Sequence, residues 1–143
     1  MTHRILCPVD GSEPAMHGVD CAIELAKSAG APVTFLKVDI VPWDRVPHGR
    51  FWGIKRISSQ DAQIDEEFKD AARKAAEHAF ADFNCRTASA NDLGEAIVAY
   101  ADTQDCDHIV MGTPSIQGWR RWLAGSVASE VVRLAHCPVT VVH

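Results

Sequence analysis

The sequence predicts an α/β fold: a doubly wound, five-stranded parallel sheet with helices on both faces, in a single domain of residues 1–143. Three observations predict it. Five short apolar runs rich in β-branched residues recur at residues 5–9, 33–38, 84–88, 108–111 and 139–142. Helical patterns separate them, and strands alternating with helices of this length form crossovers that cover a parallel sheet on both faces. A length of 143 residues with 47% hydrophobic content fits one core.

The first run ends in Pro8-Val9-Asp10-Gly11-Ser12. Ser12 is a helix N-cap residue, Pro14 suits the first turn, and Gly30 suits the stop. Between them Val19, Ala22, Ile23 and Ala26 share one face. After the second run, residues 40–59 read as a long irregular connection containing Pro42, Trp43, Pro47, Gly49, Phe51, Trp52 and Gly53. Connections of that length are often functional.

A second helix is predicted over residues 60–83, with Phe68, Ala71, Ala72, Ala75, Ala79, Phe80 and Phe83 on its apolar stripe and a charged opposite face. Its acidic cluster, Asp65, Glu66 and Glu67, reads as a solvated first turn that favours the helix dipole. Leu93, Ile97, Tyr100 and Ala101 mark a third helix, and Val127, Val131, Leu134 and Ala135 a fourth.

Charge and cysteine usage exclude several function classes. A net charge of −5 gives no broad attraction to nucleic acid or anionic membrane. No segment reaches membrane-spanning length, and the apolar run near Met1 is too short for a signal peptide, so a cytoplasmic location is expected. Five widely spaced cysteines suit a reducing compartment, with Cys7 in the core. The seven histidines show no metal-ligand spacing, so no metal site and no catalytic residue is assigned.

Ligands of open parallel sheets bind at the carboxyl ends of strands, where neighbouring connections leave in opposite directions. Two segments meet there. Asp10 can accept from a ligand hydroxyl, or it can help cap the first helix. The glycine-punctuated segment from Gly112 to Ser126 offers backbone N–H groups for phosphate, and Gly125-Ser126 opens the last helix as an anion site or as a plain N-cap. Trp119 and Trp122 in that segment read as packing residues. A P-loop ending and a Gly-x-Gly-x-x-Gly pattern are both absent.

Val9-Asp10-Gly11-Ser12, Leu93-Gly94-Glu95-Ala96-Ile97, Ile109-Val110-Met111-Gly112-Thr113, Gly125-Ser126-Val127-Ala128 and Ala135-His136-Cys137-Pro138-Val139 together resemble the universal stress protein family along essentially the whole chain. The resemblance implies sheet order 3-2-1-4-5 and a regulatory protein of the stress response that binds an adenine nucleotide, ATP with Mg²⁺. Carried over by position, Asp10 faces the ribose and the Val38 backbone the adenine edge, with Pro8, Val9 and Met111 beside them. Gly112, Ser115, Gly125, Ser126 and Val127 surround the phosphates, with Arg120 and Arg121 nearby.

Ser115, after Pro114, stands where ATP-binding members have a second glycine. The alternative it supports is a regulatory or scaffolding dimer of the same fold without nucleotide; a slow ATPase is a further alternative. The resemblance also implies a homodimer through the edge strand Val139–Val142 and an unidentified regulatory protein partner.

Overall fold

The computed structural model describes residues 2–42, 50–113 and 127–142. In chain order the elements are β1 (Ile5–Pro8), α1 (Glu13–Ala29), β2 (Val33–Ile40), β3 (Trp52–Ile57), α2 (Ser59–Ala62), α3 (Lys69–Glu77), β4 (Phe83–Ala90), α4 (Leu93–Thr103), β5 (His108–Gly112), α5 (Val127–Leu134) and β6 (Val139–Val142).

The sheet runs β3-β4-β2-β1-β5-β6. Its five parallel strands, β4-β2-β1-β5-β6, are the five expected runs in the expected order. The sixth corrects the sequence reading: β3 pairs antiparallel with β4 at the sheet edge, so the sheet is mixed rather than wholly parallel. Part of the segment expected to be irregular is therefore a strand. Its middle residues are exposed, its register shifts between Trp52 and Lys55, and Gly53 sits at φ +64°. An edge strand solvated on both faces and broken by a bulge lacks the alternation that marks a strand in sequence.

The predicted second helix is also corrected. It divides into α2 and α3, and Phe83 begins β4 instead of ending a helix. Asp65 explains the break, because its carboxylate accepts from the Glu67 amide at 2.9 Å and turns the chain locally, and Lys69 N–H then returns to the Asp65 carbonyl at 2.8 Å. Ala79, at φ +52°, closes α3. The stripe still serves its purpose: Phe68, Ala71, Ala72 and Ala75 are buried, and Phe80 and Phe83 pack at the margin.

Alternation along the parallel strands builds two cores. Ile5, Cys7, Val33, Phe35 and Cys85 point to one face, where α1 and α3 bury Val19, Ala22, Ile23, Ala26 and Phe68. Leu6, Leu36, Ala88, Ile109 and Met111 point to the other, where α4 and α5 bury Ile97, Tyr100 and Val131. Each fully buried Ile, Val, Leu or Phe contributes about 1.5–3 kcal/mol, so both layers are held chiefly by these faces. The ends of α1 are as read: the Ser12 hydroxyl accepts from Ala15 N–H at 3.4 Å, and Gly30 takes the left-handed cap at φ 68°.

Candidate functional site

β1 and β5 are neighbours whose connections diverge, β1 leading to α1 on one face and β5 preceding α5 on the other. Such divergence opens a crevice beyond the strand ends. A cleft of about 560 Å³ lies there. It exists because β1, only four residues long, stops at Pro8 opposite Leu36, while β2 continues to Ile40.

The last contact across that pair is Val9 N–H donating to the Leu36 carbonyl at 2.9 Å. Backbone groups alternate sides with period two, so the Val38 amide and carbonyl face the same way as those of Leu36. They point past the end of β1 into the cleft. Val38 also lies in register with Ala88 of β4, which holds its strand in place.

Asp10 lies on the turn out of β1. One carboxylate oxygen accepts from Ser12 N–H at 2.9 Å, and the other has no protein partner among the described residues. The helix cap is Ser12 rather than Asp10, so Asp10 ties the turn ahead of the helix with one oxygen and leaves the other unpartnered among the described residues. Gly11, at φ +82°, needs to be glycine on two counts: the left-handed backbone, and a Cβ that would sit 3.0 Å from the Glu66 carbonyl oxygen.

The far wall is apolar, formed by Leu93 and Ile97 of α4, Met111 of β5, and Val127 and Ala128 of α5. Gly112 forms part of the floor, where α1 crosses β5 so closely that a Cβ there would run into the Pro14 carbonyl. Beside this wall Asp92 caps α4 by accepting from Glu95 N–H at 2.9 Å. It also takes a hydrogen bond from the Glu130 carboxyl, which holds Glu130 above the usual carboxylate range and Asp92 below it.

All seven predicted site residues within the described segments, Pro8, Val9, Asp10, Val38, Met111, Gly112 and Val127, line this cleft. Ser115, Gly125 and Ser126 lie outside the described residues, as do Trp119, Trp122, Arg120 and Arg121. Sequence reasoning missed Lys37 and misread Glu67. Both line the cleft, joined at 2.8 Å, and Lys37 also reaches Asp39 at 3.1 Å. Donating to the Glu67 carboxylate, and then to that of Asp39, raises the lysine above its ordinary value despite the opposing effect of burial. A charged residue inside an otherwise apolar strand was the available signal.

The whole chain, residues 1–143, matches the profile of the Universal stress protein family. The chain belongs to the universal stress protein family. A universal stress protein of Methanocaldococcus jannaschii is 34% identical over 140 residues, covering 97% of this chain and 81% of that one. The chain spans about half the length of the mycobacterial universal stress proteins it also matches.

Solved members of the family share the fold. A universal stress protein in complex with cAMP superposes with a TM-score of 0.71 at 22% identity, covering 99% of this chain and 97% of that one. One from Archaeoglobus fulgidus in complex with dAMP gives 0.65 at 22% identity, covering 100% and 98%. Among the described residues no helix is long and apolar enough to cross a membrane, and no group of His, Cys, Asp and Glu could hold a metal ion.

Proposed function

We propose that this universal stress protein is a cytoplasmic regulatory module that binds an adenine nucleotide, ATP with Mg²⁺, in the cleft beyond β1 and β5. The observation that carries the reading is the make-up of the cleft: an apolar wall from Leu93, Ile97 and Met111, an outward backbone edge at Val38, and a half-free carboxylate at Asp10. That combination suits a flat heterocycle, its hydrogen-bonding edge and a ribose hydroxyl. The family members solved with cAMP and dAMP support the ligand class.

In this reading Val38 meets the adenine edge and Asp10 the ribose, with Pro8, Val9 and Met111 packing around them. Gly112, Ser115, Gly125, Ser126 and Val127 surround the phosphates. The protein acts as a homodimer through the edge strand β6, which lies at the opposite end of the sheet from β3, and it signals to a protein partner. Calorimetric titration with ATP and Mg²⁺, and separately with ADP, AMP and cAMP, tests the ligand; Gly125→Val serves as the phosphate-side control. Binding that the variant loses is expected, and no heat with any of the four nucleotides overturns the reading. Light scattering at micromolar concentration should give twice the monomer mass.

Two observations favour a second reading, the nucleotide-free regulatory dimer. Ser115 replaces a motif glycine, and Lys37, the cation lining the described cleft, is occupied by Glu67 and Asp39. A slow ATPase would instead release phosphate from the pure protein, with turnover lost in Asp10→Ala.

A further inference from the structure

The opposite end of the sheet carries a second polar site. Arg56 of β3 and Arg86 of β4 are register partners across an antiparallel pair. Residues so placed stand about 4.5–5.5 Å apart at Cβ and project to one face, and two like charges there repel. Among the described residues neither guanidinium has a carboxylate within ion-pair distance; Arg86 donates only to its neighbour's carbonyl, that of Cys85, at 3.1 Å.

Arg86 and Asn84 together floor two adjoining clefts of about 270 and 290 Å³. Arg56, Ser58 and Ser59 edge the first; Arg4, Thr34 and Tyr100 edge the second. No Asp or Glu lines either one, in a chain whose net charge is −5. Arg4 anchors one guanidinium nitrogen on the Gln104 carbonyl at 3.1 Å.

Two buried hydroxyls line the second cleft without a protein partner among the described residues. Thr34 is 6% exposed and Tyr100 4%. A buried hydroxyl left unmatched has lost its hydrogen bonds to water without replacement, which favours a ligand that restores them. Burial raises the Tyr100 phenol, and the charges of Arg86 and Arg4 pull it back down, as expected of a hydroxyl near both guanidiniums. Two repelling arginines, a third arginine across the cleft and two unsatisfied hydroxyl groups share one need, a multiply charged oxyanion. Guanidinium forks match phosphoryl oxygens bidentately.

We propose that this shelf binds the diphosphate group of a small molecule, at a site separate from the adenine-nucleotide cleft and sharing no lining residue with it. The diphosphate spans from the Arg56–Arg86 pair to Arg4, and it accepts from Tyr100 and Thr34.

The chain has one tyrosine, so tyrosine labelled with ¹³C at the hydroxyl-bearing carbon gives one NMR signal, located at the site. Pyrophosphate, titrated at constant ionic strength, should shift that signal saturably and bind at least about fivefold more tightly than orthophosphate. Arg56→Gln and Arg86→Gln should each weaken pyrophosphate about tenfold, the effect of losing one charge-assisted hydrogen bond. Arg56 is exposed, so its variant tests the idea even if Arg86→Gln does not fold. Saturating AMP should leave the pyrophosphate titration unchanged. An unshifted tyrosine signal, equal affinity for the two anions, undiminished binding in Arg56→Gln, or displacement by AMP would each overturn the proposal.

Discussion

Gly18→Ala sets two physical effects against each other within one helix. Gly18 sits in the interior of α1, where alanine is favoured over glycine by about 1 kcal/mol. Packing opposes this. A Cβ on Gly18 would lie 2.6 Å from the Gly112 amide nitrogen and 3.0 Å from the Met111 carbonyl carbon. Comfortable contacts are about 3.5–4.0 Å, and both obstacles are backbone of β5, which is held by β1 and β6. The helix must therefore retreat by about 1 Å, loosening Ala15, Val19 and Ala22 from the core. Overpacking of this kind costs about 1–3 kcal/mol and more when backbone is the obstacle. With about 3 kcal/mol lost and about 1 gained, the net destabilisation is ~2 kcal/mol. Thermal unfolding followed by circular dichroism should show Tm lower by about 6–8 °C. Because Pro14 and Ala15 line the cleft, nucleotide affinity should fall as well. A variant as stable as the wild type, or more stable, would refute the reasoning, since propensity would then have outweighed packing.

Three further outcomes follow from charge and burial. Glu67→Gln removes one of the two carboxylates that hold Lys37 and leaves the other, Asp39, in place; a partly exposed ion pair is worth about 0.2–1 kcal/mol, so nucleotide affinity should rise by at most about fivefold by calorimetry. Glu130 is held above its ordinary value by its hydrogen bond to Asp92, so its stabilising contribution is complete at pH below the normal glutamate range and is lost as pH rises through the folded-state value. Glu130→Gln keeps a donor and cannot ionise, so Tm should rise by about 1–2 °C at pH 7 and change little at pH 4. Burial pushes the Cys85 and Cys106 thiols up to about 12 and raises Cys7 too. Ellman's reagent at pH 8 should leave these three unmodified in the native protein, react slowly at the half-buried Cys21 and Cys137, and count all five in guanidinium.

Legibility in the sequence followed burial. The five parallel strands, α1, α4 and α5 have faces packed on the sheet, so their periodicity is written in apolar residues such as Val19, Ala22, Ile23 and Ala26. β3 is solvated and bulged near Gly53, so although Trp52, Ile54 and Ile57 favour a strand, it lacks the alternation that marks one in sequence. The break between α2 and α3 depends on one local competition, the Asp65 carboxylate taking the Glu67 amide, which interrupts a pattern that remains helical on both sides. In the cleft, the residues readable beforehand are those whose role comes from strand ends and turns: Pro8, Val9, Asp10, Gly112. Lys37 and Glu67 were not readable as a pair, since they meet only after the turn ahead of α3, at Glu66 and Glu67, packs against Gly11.

Gly112 shows why the site cannot be tested at every residue the motif suggests. Its substitution drives a Cβ into the Pro14 carbonyl, so lost binding would report a displaced α1 as readily as a lost phosphate contact. Asp10→Asn separates the two. The asparagine oxygen can still accept from Ser12 N–H, and Asn is about as good as Asp in such turns. Stability should therefore move by less than about 0.5 kcal/mol. The outward oxygen, however, becomes an amide that cannot accept. If it receives a ribose hydroxyl, the lost charge-assisted hydrogen bond should weaken nucleotide binding about tenfold. Unchanged Tm with weakened binding assigns Asp10 to the ligand. Unchanged Tm with unchanged binding leaves Asp10 as a turn residue alone, and moves ribose recognition elsewhere in the cleft.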